Sequence, residues 1–148
     1  MKRKKIAIVE HEEIIGMMFK LMLELKDYSV TGMASKGKDG LSLIESTRPD
    51  LVLMDICLKG DMDGIETAMQ IRKLYDIPIV FVTADYSKET RKRADLVDHQ
   101  AYLKMPIMHE DLGDVVHSIF YNLVDNAKES NTLRNRMASG LNDVNVKL

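Results

Sequence analysis

The chain has 148 residues, of which 45% are hydrophobic and 30% are charged, and this size and composition are typical of one globular domain with a hydrophobic core. The net charge of -2, with basic and acidic residues interspersed along the sequence, argues against direct nucleic-acid binding. The single cysteine, Cys57, excludes an internal disulfide and a multi-cysteine zinc site.

The beginning of the sequence is basic, but no long apolar segment follows it. Residues 2–5 are all Lys or Arg, and only the short apolar run at residues 6–9 separates them from Glu10. A signal peptide or a membrane span needs a longer apolar run. We therefore expect a cytoplasmic protein without a membrane segment.

Three short apolar runs predict buried strands. Each run is continuous rather than alternating and is bounded by polar residues or Pro, which is the pattern of strands covered on both faces in a parallel sheet. The runs lie at residues 6–9, 51–54 and 79–82, and weaker strands are predicted at 28–33 and 101–104.

Helical patterns lie between the predicted strands. One set of apolar residues shares a helix face after the first strand, and we expect this face to cover the sheet: Ile14, Met18, Leu21, Met22 and Leu25. Further helices are predicted at residues 38–46, 64–75 and 88–96. A last apolar stripe continues longer than a fifth helix needs, from residue 112 to residue 124.

The alternation of five strands with five helices predicts an open, doubly wound α/β sheet with right-handed crossovers and helices on both faces. Ligands of such sheets bind beyond the carboxyl ends of the strands. We assign residues 1–124 to this domain and residues 125–148 to a helical extension and polar tail. Within the tail, Ser139 and Gly140 are expected to mark a break before a frayed end.

Residues at the carboxyl ends of the buried strands form a candidate site. Glu10, His11 and Glu12 follow the first strand, Asp55 follows the third, and Thr83 follows the fourth. Neighbouring carboxylates raise each other's pKa unless a cation intervenes, and Mg²⁺ accepts hard oxygen ligands of this kind. Because a nearby hydroxyl can donate to a phosphate oxygen, the set indicates phosphoryl transfer with Asp55 as the nucleophile. The alternative is that these acids are helix caps or solvated loop residues.

Four stretches of the sequence resemble the receiver domain of response regulators. The stretch RPDLVLMDI at residues 48–56, followed by MDGIE at 62–66, resembles the phosphoacceptor strand and the loop after it. The stretch PIVFVTA at 78–84 resembles the fourth strand of the family, and AYLKMP at 101–106 resembles the fifth. The likeness extends over about residues 4–124 and implies a flavodoxin-like, five-stranded parallel sheet of order 2-1-3-4-5.

The resemblance also implies roles for individual residues. Asp55 would be the phosphoacceptor, and Glu10 and the backbone carbonyl of Cys57 would bind Mg²⁺ together with it. Thr83 would be the hydroxyl that senses the phosphate, and Tyr102 the aromatic residue that moves with it. The expected cofactor is therefore Mg²⁺, and the expected partner is a sensor histidine kinase.

The sequence departs from the family pattern at two positions of this site. His11 stands where the family has a second acid, and its imidazole offers a nitrogen ligand that suits zinc or other transition metals better than Mg²⁺. Met105 stands immediately before Pro106, where the family has a phosphate-pairing lysine, and the adjacent Lys104 should point to the opposite face of the strand. The loss of one charge-assisted hydrogen bond weakens phosphate binding by about 1.5–3 kcal/mol. Pro106 is a candidate for a cis peptide bond.

The other histidines and the cysteine side chain are interpreted as structural. His99, His109 and His117 have no ligand spacing among them and are taken as surface or capping residues. The side chain of Cys57 has no adjacent basic residue except Lys59 to lower its pKa, so we expect it to pack rather than to react.

These features lead to two functional hypotheses. In the first, the chain is a phosphorelay receiver, not an enzyme, that accepts a phosphoryl group from a histidine kinase on Asp55 and switches a protein-interaction face. In the second, motivated by His11 and Met105, it is an atypical receiver that binds its partner without phosphorylation. A flavin-binding protein is disfavoured because the acidic loop after the first strand would repel a flavin phosphate. A homodimer through the continued stripe toward Leu133 and Met137 is a secondary interpretation.

Overall fold

The computed structural model describes residues 2–121 and 144–146. In this part of the chain, strands and helices alternate from the first strand to the fifth helix, as the apolar runs predict. The bounds in chain order are β1 Lys5–Val9, α1 Glu13–Glu24, β2 Ser29–Ala34, α2 Gly37–Thr47, β3 Leu51–Asp55, α3 Gly64–Leu74, β4 Ile79–Thr83, α4 Lys88–Asp95, β5 Ala101–Lys104, α5 His109–Phe120 and β6 Val144–Val146.

The strands form one sheet in the order β2-β1-β3-β4-β5-β6. All pairs from β2 to β5 are parallel, which confirms the flavodoxin-like order 2-1-3-4-5. Val9 lies opposite Met54, and Asp55 lies opposite Val82. The carboxyl ends of β1, β3 and β4 therefore meet at one edge of the sheet, where the candidate site was expected.

Two apolar cores cover the two faces of the sheet, which explains why the strands are continuous apolar runs. Phe19 of α1 and Val116 of α5 pack on one face together with alternate strand residues such as Ile8 and Leu53. The other face carries the second core, to which α2, α3 and α4 contribute Ile44, Ile71 and Ala94.

The face of α1 that packs on the sheet differs from the one predicted. Its buried residues are Gly16, Phe19 and Leu23, whereas most of the predicted core face is exposed, with Ile14 at 75% and Leu25 at 68%. The helix is apolar on two sides, so the spacing of apolar residues fits both faces. The exposed side of α1 is an apolar surface, which we call the α1 face: Ile14, Met17, Met18, Leu21 and Leu25.

The end of the described chain differs from the sequence prediction. Helix α5 ends at Phe120, with Tyr121 as its C-cap, and the predicted continuation over Leu123, Val124, Leu133 and Met137 lies outside the described residues. A frayed end was expected after residue 140, but residues 144–146 form β6 and pair antiparallel with β5. This pairing gives hydrogen-bond partners to an otherwise open sheet edge. Among the described residues, none of the helices has the length and apolar character to cross a bilayer.

Candidate functional site

The structure brings Glu10, His11 and Asp55 together at the carboxyl edge of the sheet. Asp55 is the last residue of β3 and is 5% exposed, while Glu10, directly after β1, is 8% exposed. Backbone hydrogen bonds fix both positions, because Glu10 N donates to Ala34 O at 2.9 Å and Ile56 N donates to Val82 O at 3.0 Å. Glu12 is exposed at the start of α1.

The two oxygens of Asp55 have different partners. Oδ1 accepts a hydrogen bond from the Cys57 amide at 3.0 Å, which holds the backbone of Cys57 against the carboxylate. Oδ2 accepts from the His11 amide at 3.3 Å and also contacts the imidazole Nδ1 of His11. The same Nδ1 lies 3.1 Å from Glu10 Oε2. The imidazole is therefore placed between the two carboxylates.

This arrangement changes the protonation of Glu10 and His11. Burial raises the pKa of Glu10 to about 8, with further contributions from its hydrogen bond and charge interaction with Asp55. Partial burial acts to lower the pKa of His11, but the hydrogen bond to Asp55 and the neighbouring carboxylate charges outweigh it and raise that pKa. Near neutral pH, protons on Glu10 and His11 therefore compensate the negative charge of the carboxylates, as a bound cation would otherwise do.

Helix α3 begins directly against the backbone of Asp55. A Cβ atom at Gly64 would lie 1.9 Å from the carbonyl oxygen of Asp55 and 2.7 Å from Ile56 Cα, so only glycine fits there. Gly64 N donates to Ile56 O at 2.7 Å. Asp63 caps the helix and also forms a 2.7 Å ion pair with Arg93 of α4. The loop after β3 is therefore held by both α3 and α4.

The hydroxyl of Thr83 is linked to the beginning of α4. Thr83 is buried, and its Oγ1 accepts a hydrogen bond from the Asp85 amide at 2.9 Å. The Asp85 carboxylate in turn accepts from Ser87 N at 2.8 Å and from the Thr90 hydroxyl. The Thr90 hydrogen bond and those from Ser87 hold the pKa of Asp85 below its usual range. A movement of Thr83 would therefore disturb the cap of α4.

Tyr102 lies in the second core with its hydroxyl enclosed. The residue is 1% exposed, and its hydroxyl has no hydrogen-bond partner among the described residues. The guanidinium of Arg91 lies over the ring at 4.4 Å, and Phe81 contacts it edge-on at 6.5 Å between centroids. His99, which was expected to be a surface or capping residue, is also buried, because its ring packs against Phe81 at 5.1 Å and its Nδ1 lies 2.7 Å from Val97 O.

Comparison with known proteins identifies the family. The model of the response regulator receiver domain matches residues 6–117. The chain belongs to the response regulator receiver family. It is 34% identical over 109 residues to the transcriptional regulatory protein PdtaR of Mycobacterium tuberculosis, covering 74% of this chain and 53% of that protein. The chain therefore spans about half the length of this relative.

Solved receiver domains have the same fold. The signal receiver domain of a modulated diguanylate cyclase from Desulfovibrio desulfuricans G20 is 27% identical and superimposes with a TM-score of 0.73, covering 93% of this chain and 99% of that one. A CheY-like response regulator receiver domain protein from Methanospirillum hungatei JF-1 is also 27% identical, with a TM-score of 0.71 and coverage of 94% and 100%.

The position before Pro106 presents an apolar side chain in this receiver domain. Met105 packs against the core on the α1 and α5 side of the sheet, and the Met105–Pro106 peptide bond is cis. The hydroxyl of Tyr86 donates to the carbonyl of Met105, and Nζ of Lys104 lies 5.5 Å from the centre of the Tyr86 ring. The contact of Tyr86 joins two loops that are distant in sequence, and no sequence pattern indicates it.

The donor groups of the site fit a divalent cation. Glu10, His11 and Asp55 each offer one ligand atom, and these atoms lie within 4.8 Å of one another. Two carboxylate oxygens are typical ligands of a hard cation, while the imidazole adds a nitrogen donor. The side chain of Cys57 is exposed rather than packed as expected, because it faces outward from the loop. Partial burial raises the pKa of its thiol, and the charge of Asp55 adds to this effect.

Proposed function

We propose that this receiver domain accepts a phosphoryl group on Asp55 from the phosphohistidine of a sensor histidine kinase. The position of the Asp55 carboxylate carries the proposal, since it ends β3 and has Oδ1 held by the Cys57 amide at 3.0 Å. A carboxylate fixed at the carboxyl edge of the sheet is oriented for attack on a phosphorus atom. Receiver domains interact with histidine kinases, which makes the kinase the donor.

The transfer requires one bond to form and one to break. An oxygen of Asp55 attacks the phosphorus atom, and the new P–O bond forms as the P–N bond to the kinase imidazole breaks. The imidazole leaves with the electron pair of that bond, and the product on Asp55 is an acyl phosphate. The chain takes up the group rather than turning over a substrate, so it acts as a signalling module and not as an enzyme.

The carboxylates of Glu10 and Asp55 and the backbone carbonyl of Cys57 are the groups that would hold the divalent cation. When bound, the cation neutralises charge on the phosphoryl oxygens, and Mg²⁺ is the ion that the family resemblance implies. Because burial raises the pKa of Glu10 to about 8, Glu10 releases a proton when its carboxylate becomes a ligand. The imidazole of His11 contacts Asp55 Oδ2, so it has to move aside when that oxygen reacts.

Thr83 and Tyr102 would transmit the phosphorylation to the surface formed by α4, β5 and α5. A phosphate on Asp55 attracts the Thr83 hydroxyl, which then gives up its hydrogen bond from the Asp85 amide. Asp85 supports the cap of α4 through Ser87, so α4 is free to shift. Arg91 of α4 lies over the Tyr102 ring, and a shift of α4 therefore changes the surroundings of that ring.

The α1 face is the proposed docking surface for the kinase. Helix α1 begins at Glu13, two residues after His11, so a protein that packs on this helix lies beside Asp55. Leu21 and Met18 are 60% and 47% exposed at the middle of the face. Such an exposed apolar stripe fits the apolar side of a partner helix.

The test is the intact mass of the protein after exposure to acetyl phosphate with Mg²⁺. We expect one phosphoryl adduct on the wild type and none on Asp55→Ala. Asp61→Ala is the matched control, since Asp61 is an exposed acid in the loop after β3, and it should retain the adduct. An adduct that persists in Asp55→Ala would refute the assignment of the acceptor.

A second function has support from two observations. The imidazole of His11 contacts the acceptor oxygen, and Met105 brings a core-packed apolar side chain where a cation would pair with phosphate. Both features suit a receiver that binds its partner without phosphorylation. Equal partner affinity of the wild type and Asp55→Ala would favour this second function over phosphorylation-dependent switching.

A further inference from the structure

His11 gives the acceptor site a nitrogen donor that faces both carboxylates. Its Nδ1 lies 3.1 Å from Glu10 Oε2 and contacts Asp55 Oδ2. In a tetrahedral zinc site the metal–ligand bonds of roughly 2.0–2.2 Å place neighbouring donor atoms about 3.3–3.6 Å apart. The separation of the Glu10 and His11 donors therefore fits one shared ion with a small adjustment of the Asp55 side chain.

The other ring nitrogen of His11 has a carboxylate partner of its own. Nε2 of the imidazole lies 3.4 Å from Glu12 Oε1. The backbone of His11 is held separately, because its amide donates to Asp55 Oδ2 at 3.3 Å. Metal-binding imidazoles in proteins commonly donate their second N–H to a carboxylate, which fixes the tautomer and directs the free nitrogen at the ion. The Glu12 carboxylate lies beside this second nitrogen at ion-pair distance, and a small rotation of its exposed side chain would form that hydrogen bond.

Nitrogen and oxygen donors favour different cations. Mg²⁺ requires near-ideal octahedral geometry, prefers oxygen ligands and keeps several waters. First-row transition ions bind imidazole strongly, and their affinity for mixed nitrogen and oxygen sites rises from manganese to copper and falls again at zinc. A site in which an imidazole is one of three converging donors therefore loses affinity for Mg²⁺ and gains affinity for these ions.

We propose that Glu10, His11 and Asp55 form a site that binds a first-row transition cation, represented by Zn²⁺, more tightly than Mg²⁺. The inference deepens the proposed function because it concerns the cation of the same site. It does not depend on the transfer itself, since the three donors are present before any phosphoryl group arrives. His11 is thus a residue that determines which metal the receiver domain binds.

The experiment is calorimetric titration of the full chain with ZnCl₂ and, separately, with MgCl₂, without any phosphodonor. We expect the wild type to bind Zn²⁺ with one site and with much higher affinity than Mg²⁺. His11→Asp should weaken Zn²⁺ binding, strengthen Mg²⁺ binding and so reduce the ratio of the two affinities, because it replaces the nitrogen donor by a third carboxylate. Glu12→Gln should weaken Zn²⁺ binding by roughly 10- to 100-fold, as the loss of a carboxylate behind a metal-binding imidazole does.

A control variant and a spectrum separate this site from adsorption elsewhere. His117 is an exposed histidine of α5, so His117→Asp should bind Zn²⁺ as the wild type does. In Co²⁺-loaded protein, the visible absorption of the ion should change in His11→Asp and not in His117→Asp. Circular dichroism establishes that each variant is folded.

Two results would overturn the proposal: Zn²⁺ affinity that is unchanged in folded His11→Asp, or wild-type affinity for Mg²⁺ that equals the affinity for Zn²⁺. Failure of Asp55 to become phosphorylated would leave the titration result intact. Conversely, the protein could become phosphorylated with Mg²⁺ alone and show no selective Zn²⁺ binding. This result would support the proposed function and refute the proposed preference for Zn²⁺.

Discussion

Replacing Glu10 by Gln should stabilise the protein increasingly as the pH rises. Burial raises the pKa of Glu10 from its ordinary value of 4.5 to about 8 in the folded protein. Below pH 4.5 the group is protonated in both states and has no effect. Between these two values the folded state holds a proton that the unfolded state has lost, so the free energy of unfolding falls as the pH rises.

The magnitude follows from the size of the pKa difference. A pKa difference of one corresponds to about 1.36 kcal/mol. The full difference between 4.5 and about 8 would therefore lower the free energy of unfolding by nearly 5 kcal/mol. Solvent near the carboxyl edge of the sheet and the coupling of Glu10 to His11 and Asp55 reduce this free-energy difference. We expect about 2–4 kcal/mol. His11 acts in the same direction, because its raised pKa gives stability at low pH that is lost as the pH rises through that pKa.

The assay is urea denaturation followed by circular dichroism, from pH 5 to pH 9 in the presence of a chelator. Glu10→Gln should lie within about 1 kcal/mol of the wild type near pH 5 and exceed it by about 2–4 kcal/mol above pH 8. Glu45→Gln, at an exposed position of α2, should show no such pH-dependent gain. A difference for Glu10→Gln that stays constant or shrinks as the pH rises would show that folding does not raise the pKa of Glu10.

Three further predictions concern packing, docking and the phosphate site. Gly64→Ala should destabilise the fold by at least about 2 kcal/mol in urea denaturation, since its Cβ would meet backbone atoms at 1.9 and 2.7 Å, whereas at Gly113 a Cβ meets only the flexible Lys26 side chain at 3.2 Å or beyond. Gly113→Ala should therefore cause no loss, and equal losses for the two variants would contradict the clash. Leu21→Glu, on the α1 face, should slow phosphotransfer from a histidine kinase and leave the rate with acetyl phosphate unchanged, and slowing of both would argue against docking. Met105→Lys should stabilise the phosphorylated state relative to the unphosphorylated one by about 1.5–3 kcal/mol. The measurement is the affinity for the partner protein with and without a phosphodonor. Met108→Lys, at an exposed neighbouring position, should have no effect.

The sheet and the position of the site follow from local features of the sequence. The runs at β1, β3 and β4 are apolar at every position because both faces of the sheet are covered. Glu10 and Asp55 follow or end such runs, so their proximity follows from parallel pairing alone. The contact of His11 with both acids could not be predicted, because it depends on the rotamer of a loop residue.

Other features depend on contacts that are distant in sequence. The packed face of α1 could not be chosen, since Phe19 and Leu23 on one side and Leu21 and Leu25 on the other have the same helical spacing. The short strand β6 pairs with β5 although it lies in a polar stretch with little strand signal. The hydrogen bond from Tyr86 to Met105 joins two loops whose approach is set by the whole sheet.

Borohydride trapping identifies the residue that carries the phosphoryl group, which we propose to be Asp55. Borohydride reduces an acyl phosphate to an alcohol, which converts a phosphorylated aspartate to homoserine. After incubation with a phosphodonor and a divalent cation, peptide mass spectrometry should find homoserine at position 55 of the wild type and no modified residue in Asp55→Ala. Homoserine at another aspartate, or none at all in protein shown to be folded and metal-bound, would contradict the assignment of Asp55 as the phosphoacceptor.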